Sequence, residues 1–117
     1  MSWNIHDPEL YNTDHLVVTH MYDSDHAAVV WLGFTSGQAL RDHETTSVAI
    51  IQVLRGGIRL NTATEQVLEA GHAVQLQPSE HHALTALEDS LVQLVLVPHP
   101  RYHSLAEELD LPSRERS

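Results

Sequence analysis

Between residues 40 and 97 the chain is a series of short apolar runs, each halted by a turn, and this rhythm restricts it to few folds. The stops are Arg55-Gly56-Gly57, Asn61-Thr62, Ala70-Gly71, Pro78-Ser79-Glu80 and Glu88-Asp89-Ser90. Several short strands at such intervals point to an all-β sandwich or barrel rather than a helix bundle. Residues 48–54, 58–61, 65–69, 73–77, 82–87 and 91–97 read as strands. Gly56-Gly57 supplies a turn in which positive φ carries little penalty, and Pro78 ends a strand because it cannot donate to a ladder. Two histidines, His43 and His82, fall near strand ends and mark where chemistry is to be sought.

Upstream, residues 16–22 and 27–34 are β-prone, separated by a turn at Asp23-Ser24-Asp25; the second, AAVVWLGF, is apolar on both faces and therefore covered on both. Residues 1–14 have no clear periodicity and read as a segment that packs on the barrel or on a dimer partner, anchored by Trp3 and Tyr11. Residues 15–100 form the barrel. Residues 101–117 hold a capping box, Ser104-Leu105-Ala106-Glu107, and Leu105 with Leu109 on one face predict a short helix over 104–110 before a charged tail. At 117 residues this is one domain on one core.

Composition excludes several functions. The chain has no cysteine, which removes disulfides, thiolate metal ligands and a cysteine nucleophile, and fits a reducing compartment. Six arginines against sixteen acidic residues give a formal charge of −10, a field that repels nucleic acid and anionic membrane. No apolar run approaches the length that spans a bilayer, and the opening MSWNIHDPEL lacks a basic and apolar leader, so the expected location is the cytoplasm. Most of the ten histidines sit beside acidic or polar neighbours, the ordinary setting of a solvated imidazole.

The central stretch resembles the cupin superfamily of jelly-roll barrels, the RmlC-like double-stranded β-helix. Its first motif reads Gly-x5-His-x-His-x3-4-Glu-x6-Gly and its second Gly-x5-Pro-x-Gly-x2-His-x3-Asn. Here Gly37 precedes His43 by the first motif's gap, Gly56 closes that motif, Gly71 opens the second, and His82 stands at its histidine. The resemblance covers residues 33–97. It implies a divalent metal, held by both first-motif histidines, the glutamate and the second-motif histidine. This chain departs from that set: Thr45 replaces the second histidine, Ala49 the glutamate, Gln77 and Ser79 the proline and glycine, and Ala86 the asparagine.

Two of four implied ligands, His43 and His82, therefore remain, while stable zinc, iron, manganese or nickel sites generally use three or more protein ligands. Strand parity places Thr45, Ser47 and Ala49 on the face of His43, which leaves a smaller, more neutral wall with room for an organic ligand. His20, Glu44, His72 and His81 are conceivable replacement ligands, although Glu44 and His81 should point away in a regular strand. Arg41, Arg55 and Arg59 are candidates to orient an anion, against the ordinary reading of arginine on a solvated face. The expected function is a small cupin that binds a small polar or acidic molecule in its barrel. Two alternatives stand beside it: a metal-dependent dioxygenase or isomerase with atypical ligands, and a sensory or regulatory module acting on a partner protein. A further possibility is that the two histidines are structural relics. Apolar residues on both faces of 27–34, with Val48, Ile50 and Leu54, predict a homodimer through a sheet face, an arrangement that the resemblance also implies.

Overall fold

The computed structural model describes residues 1–98, with His43 described by its backbone. The helix expected over 104–110 and the charged tail lie outside the described residues. Among the described residues nine strands follow a single 3-10 turn: β1 (Val17–Asp23), β2 (Ala28–Phe34), β3 (Ala39–His43), β4 (Val48–Arg55), β5 (Gly57–Asn61), β6 (Glu65–Glu69), β7 (Ala73–Leu76), β8 (His82–Ala86) and β9 (Ser90–Val97). They form two antiparallel sheets, one of order β1-β2-β9-β4-β7 and one of order β3-β8-β5-β6. From β2 onward the chain passes repeatedly between the sheets, with only the β5–β6 hairpin remaining in one. This is an all-β jelly roll. Among the described residues no helix is long and apolar enough to cross a membrane.

The period-2 alternation of the strands sorts their side chains. On β2 the inward set is Ala28, Val30, Leu32 and Phe34; on β4 it is Ala49, Ile51 and Val53; on β9, Val92, Leu94 and Leu96. The smaller sheet answers with Leu40, Ile58, Leu60, Leu68, Leu84 and Ala86. Each large member of this cluster contributes about 1.5–3 kcal/mol by leaving water. The core fills the space between the sheets and continues on β8 to Leu84, two residues from His82.

Residues β2, β9 and β4 turn outward are covered along one part of the larger sheet. There Leu10, Trp31 and Leu91 are buried together, with Ile5, Tyr11, Met21 and Leu54 packed around them. Asp7 caps the 3-10 turn Pro8–Leu10, its carboxylate accepting from the Glu9 amide at 2.9 Å. The turn sets the Leu10 carbonyl against the bare face of Gly33. Trp3 lies on Trp31 with ring centroids 6.4 Å apart. The Arg55 guanidinium sits 5.1 Å above the Tyr11 ring, and contact with the Tyr11 side chain, chiefly its hydrogen bond, holds Arg55 above its ordinary value. Residues 3–11 thus form a strap over the outer face of the larger sheet.

The far end of the barrel from His82 is closed by Ser90, whose side chain is fully buried. Its hydroxyl accepts from the Gly57 amide at 3.0 Å and lies 3.0 Å from the Gly57 carbonyl and 2.7 Å from that of Glu88. Gly56 takes a φ of +81° beside it. A side chain there would strike Asp89 and Ser90, so glycine is required on two counts.

Candidate functional site

Four polar side chains are buried among the described residues: Thr45, Ser47, His82 and Ser90. Ser90 closes one end, and the other three gather at the opposite end. The backbone brings His43 and His82 together there, as directly opposed residues of β3 and β8. A register shift between Leu40 and His43 lets Arg41 and Asp42 stand exposed while Leu40 remains in the core.

The structure differs from the regular strand assumed from His43 to Ala49. β3 ends at His43, and residues 44–47 cross to the other sheet, where β4 begins at Val48. Burial nevertheless alternates through the crossing. Thr45, Ser47 and Ala49 are buried; Glu44 and Thr46 are exposed and Val48 is half-buried. The alternation persists because the crossing is itself pinned by hydrogen bonds. The Thr45 carbonyl accepts from the Ser79 amide at 2.8 Å, the Thr45 hydroxyl accepts from the Ser47 amide at 3.2 Å, and the Ser47 hydroxyl donates to the Pro98 carbonyl. Three otherwise separate segments are joined at this end of the barrel.

His82 is 1% exposed. Its Nδ1 lies 3.1 Å from the Glu80 carbonyl, and because a carbonyl can only accept, that nitrogen carries the proton. In the neutral ring Nε2 is then the acceptor. Next to it in sequence, His81 lies outside the barrel. Its Nδ1 is 3.2 Å from Asp42 and its Nε2 3.1 Å from Glu44, all three groups being mostly exposed. These contacts bridge the end of β3 to the start of β8 at the rim. Sequence reading missed this bridge, although its signal was present: if His43 opposes His82, the residues flanking them share the opposite face.

The remaining candidates divide clearly. His20 pairs with Val30 in β1, an inward register position, and is half-buried. His72 lies in the β6–β7 turn, where its Nδ1 accepts from the Glu69 amide at 2.8 Å. Arg55 belongs to the strap contact, and Arg59 faces Glu65 at 3.5 Å on the exposed side of β5. Neither guanidinium reaches the buried polar end.

Among the described residues no three His, Asp or Glu groups converge to hold an ion. Thr45 and Ser47 offer only neutral hydroxyls already engaged with backbone, and Ala49 offers no donor atom. What the end does provide is three buried polar side chains, Thr45, Ser47 and His82. On the larger sheet the adjoining inner row is Ala28, Leu96, Ala49 and Leu76, in which two of the four side chains are the small alanine.

No family model matches the chain, and no curated protein matches it in sequence. Solved structures do match. An RmlC-like cupin from Desulfovibrio desulfuricans is 22% identical, with a TM-score of 0.73 over 84% of this chain and 96% of its own. KdgF from a Halomonas species is 20% identical, with a TM-score of 0.70 over 85% and 89% of the two chains. A conserved protein with a double-stranded β-helix domain from Klebsiella pneumoniae is 15% identical, with a TM-score of 0.73 over 88% and 95%. At these identities the likeness concerns architecture, and together with the two-sheet topology it shows that the chain has the cupin fold, an RmlC-like double-stranded β-helix.

Proposed function

We propose that this cupin binds a small polar or acidic organic molecule at the His82 end of its barrel, without a complete metal cage. The observation that carries the reading is the gathering of three of the four described buried polar side chains at one end, above an apolar floor. Pockets for small molecules are typically apolar with a few placed polar groups, and this end has that character. His82 would address the ligand as a hydrogen-bond acceptor through Nε2, or as a donor once protonated. Thr45 and Ser47 would border it, and the alanine at position 49 would give it room.

The test screens a panel of small carboxylic acids and small uncharged polar molecules one by one, using thermal shift followed by calorimetry. At least one should stabilise the wild-type protein, and His82→Ala should weaken its binding at least about tenfold, since losing a buried hydrogen-bond partner costs ~1–3 kcal/mol. A panel without effect, or a ligand indifferent to His82→Ala, would overturn the assignment.

One observation favours a second reading, a metal-dependent dioxygenase or isomerase. A histidine whose Nδ1–H is tied to a backbone carbonyl is arranged as metal-ligating histidines commonly are. Titration with Zn²⁺ alone separates the two. Tight stoichiometric binding lost in His82→Ala would support the metal enzyme, and the donor set should make binding weak.

A further inference from the structure

The strap covers one part of the outer face of the five-stranded sheet and leaves another part uncovered among the described residues. One cross-strand row there reads Tyr22, Val29, Val95, Ile50 and Gln75, and beside it Val48 pairs with Val97. Tyr22 is 55% exposed, Ile50 38% and Val97 42%, which is high for large apolar groups standing together. None of these positions is Asp, Glu, Arg or His. The last described strand, β9, ends within this patch at Val97, and the chain continues from there through residues 99–117. Their sequence puts Tyr102, Leu105 and Leu109 at the i, i+3 and i+7 positions of one helical stripe, with Glu107, Glu108 and Asp110 off it.

We infer that residues 102–109 of the same chain dock this stripe on the patch, so that the two ends of the chain cover the two parts of one sheet face. The reach is sufficient. Ile50 lies one strand across and two residues along from Val97, about 8 Å away at ordinary strand spacing, and Val29 is as close on the other side. The link from Pro98 to Leu105 could span about 23 Å when extended. Leu105 and Leu109 stand about 6 Å apart along a helix axis, close to the ~5 Å between neighbouring strands, so they can sit over β9 and β4. Tethering favours this occupant over others. A segment on a short link is presented at an effective concentration on the order of millimolar. A second copy at micromolar concentration would instead bring a formal charge of −10 against the same charge here. A partner recognised by charge would find nothing on the patch to recognise. With the stripe docked, Glu107, Glu108 and Asp110 point toward water, where they keep their hydration. This inference is independent of the ligand reading, since it concerns the opposite side of the sheet.

The experiment is disulfide trapping, which the absence of native cysteine makes clean. Two full-length variants carry Ile50→Cys with either Leu105→Cys or Leu109→Cys and are oxidised at micromolar concentration. Non-reducing electrophoresis and peptide mass mapping should find a disulfide within one chain in at least one of them. Val67→Cys, on an exposed residue of the other sheet, should form none with either partner. Should the cysteine variants fail to fold, hydrogen exchange on the wild type is the second measurement. Amides of residues 105–110 should exchange at least about tenfold more slowly than in an unstructured peptide, and Ile50→Glu should remove that protection. Cross-linking between chains through Ile50→Cys would overturn the inference and give the patch to a second copy. Absence of any disulfide, or exchange in residues 105–110 that is unprotected or indifferent to Ile50→Glu, would overturn it equally.

Discussion

Replacing Gly33 with alanine tests whether the N-terminal strap is part of the fold. The added Cβ would stand 2.9 Å from the Leu10 carbonyl carbon and nearer still to its oxygen, while the Tyr11 ring is at 3.4 Å. Ordinary contact begins near 3.4 Å, so the carbon alone must retreat by about 0.5 Å and the oxygen by more. The obstruction is backbone on both sides, which leaves no flexible side chain to give way. The strap should therefore lift, exposing Leu10, which is now 6% exposed against Trp31 and Leu91. Losing that burial costs ~1.5–3 kcal/mol. Loosening the Trp3–Trp31 contact adds about 0.5–1 kcal/mol. Against this, alanine restricts the unfolded chain by about 0.4–1 kcal/mol. The net loss is about 1–3 kcal/mol, which at urea slopes of ~1–3 kcal/mol/M lowers the unfolding midpoint by on the order of 1 M. Equilibrium urea unfolding followed by tryptophan emission is well suited, because both tryptophans of the chain, Trp3 and Trp31, lie at the contact. Native emission should shift to the red as the rings meet water. An unchanged midpoint with unchanged emission would refute the account of the strap.

Two other substitutions probe the ends of the barrel. Ser90→Ala leaves the Gly57 amide without its buried acceptor and should cost about 1–3 kcal/mol by chemical denaturation, with the jelly-roll circular dichroism retained; a neutral result would mean that another group accepts from Gly57. Ser79→Gly relieves a non-glycine residue at a φ of 67°, a cost of ~1–2 kcal/mol, while loosening the unfolded chain by about 0.5–1 kcal/mol. A stabilisation of up to about 1 kcal/mol is expected in thermal melts, and a destabilised variant would show that the Ser79 side chain matters more than its backbone.

The strands were legible because turn chemistry and alternation agree along most of the chain. Arg55-Gly56-Gly57, Ala70-Gly71 and Pro78-Ser79 each break an apolar run where the structure breaks it. The division between β3 and β4 was not legible. His43-Glu44-Thr45-Thr46-Ser47 contains no glycine or proline, and its burial alternates as a strand's would, so nothing local marks the passage between sheets. Ser79 stands where the family motif has glycine, and it keeps the left-handed backbone without glycine's freedom. The composition of the motif had changed while the conformation of the turn had not. Ser90 read as a turn residue because its partner Gly57 is 33 positions away. The strap was legible only in outline: Trp3 and Tyr11 marked residues 1–14 as a segment that packs on the barrel or on a partner, but neither the choice between them nor the place of Leu10 could be read. Its contacts depend on single residues, Trp3, Leu10 and Tyr11, each meeting a different part of the sheet, and such a segment has no period. Motif spacing singled out His82 and strand parity grouped Thr45 with Ser47 and Ala49, and all four are buried, whereas the rim bridge through His81 required knowing which residues oppose one another.

The packing just below His82 has a consequence for traffic. The next inward residue of β8, Leu84, aligns with Leu40 on one side and Leu60 on the other, and all three are almost completely buried. Across the barrel Ile51 and Leu94 close the same level. A molecule bound at the His82 end, as proposed, would therefore rest on a closed floor of packed side chains. It would enter and leave from that end alone, so a resident molecule would block its own replacement. Exchange must then proceed by departure before arrival, and a newcomer cannot speed the loss of the occupant by entering from behind. The measurable signature is a dissociation rate that stays constant as competing ligand is raised.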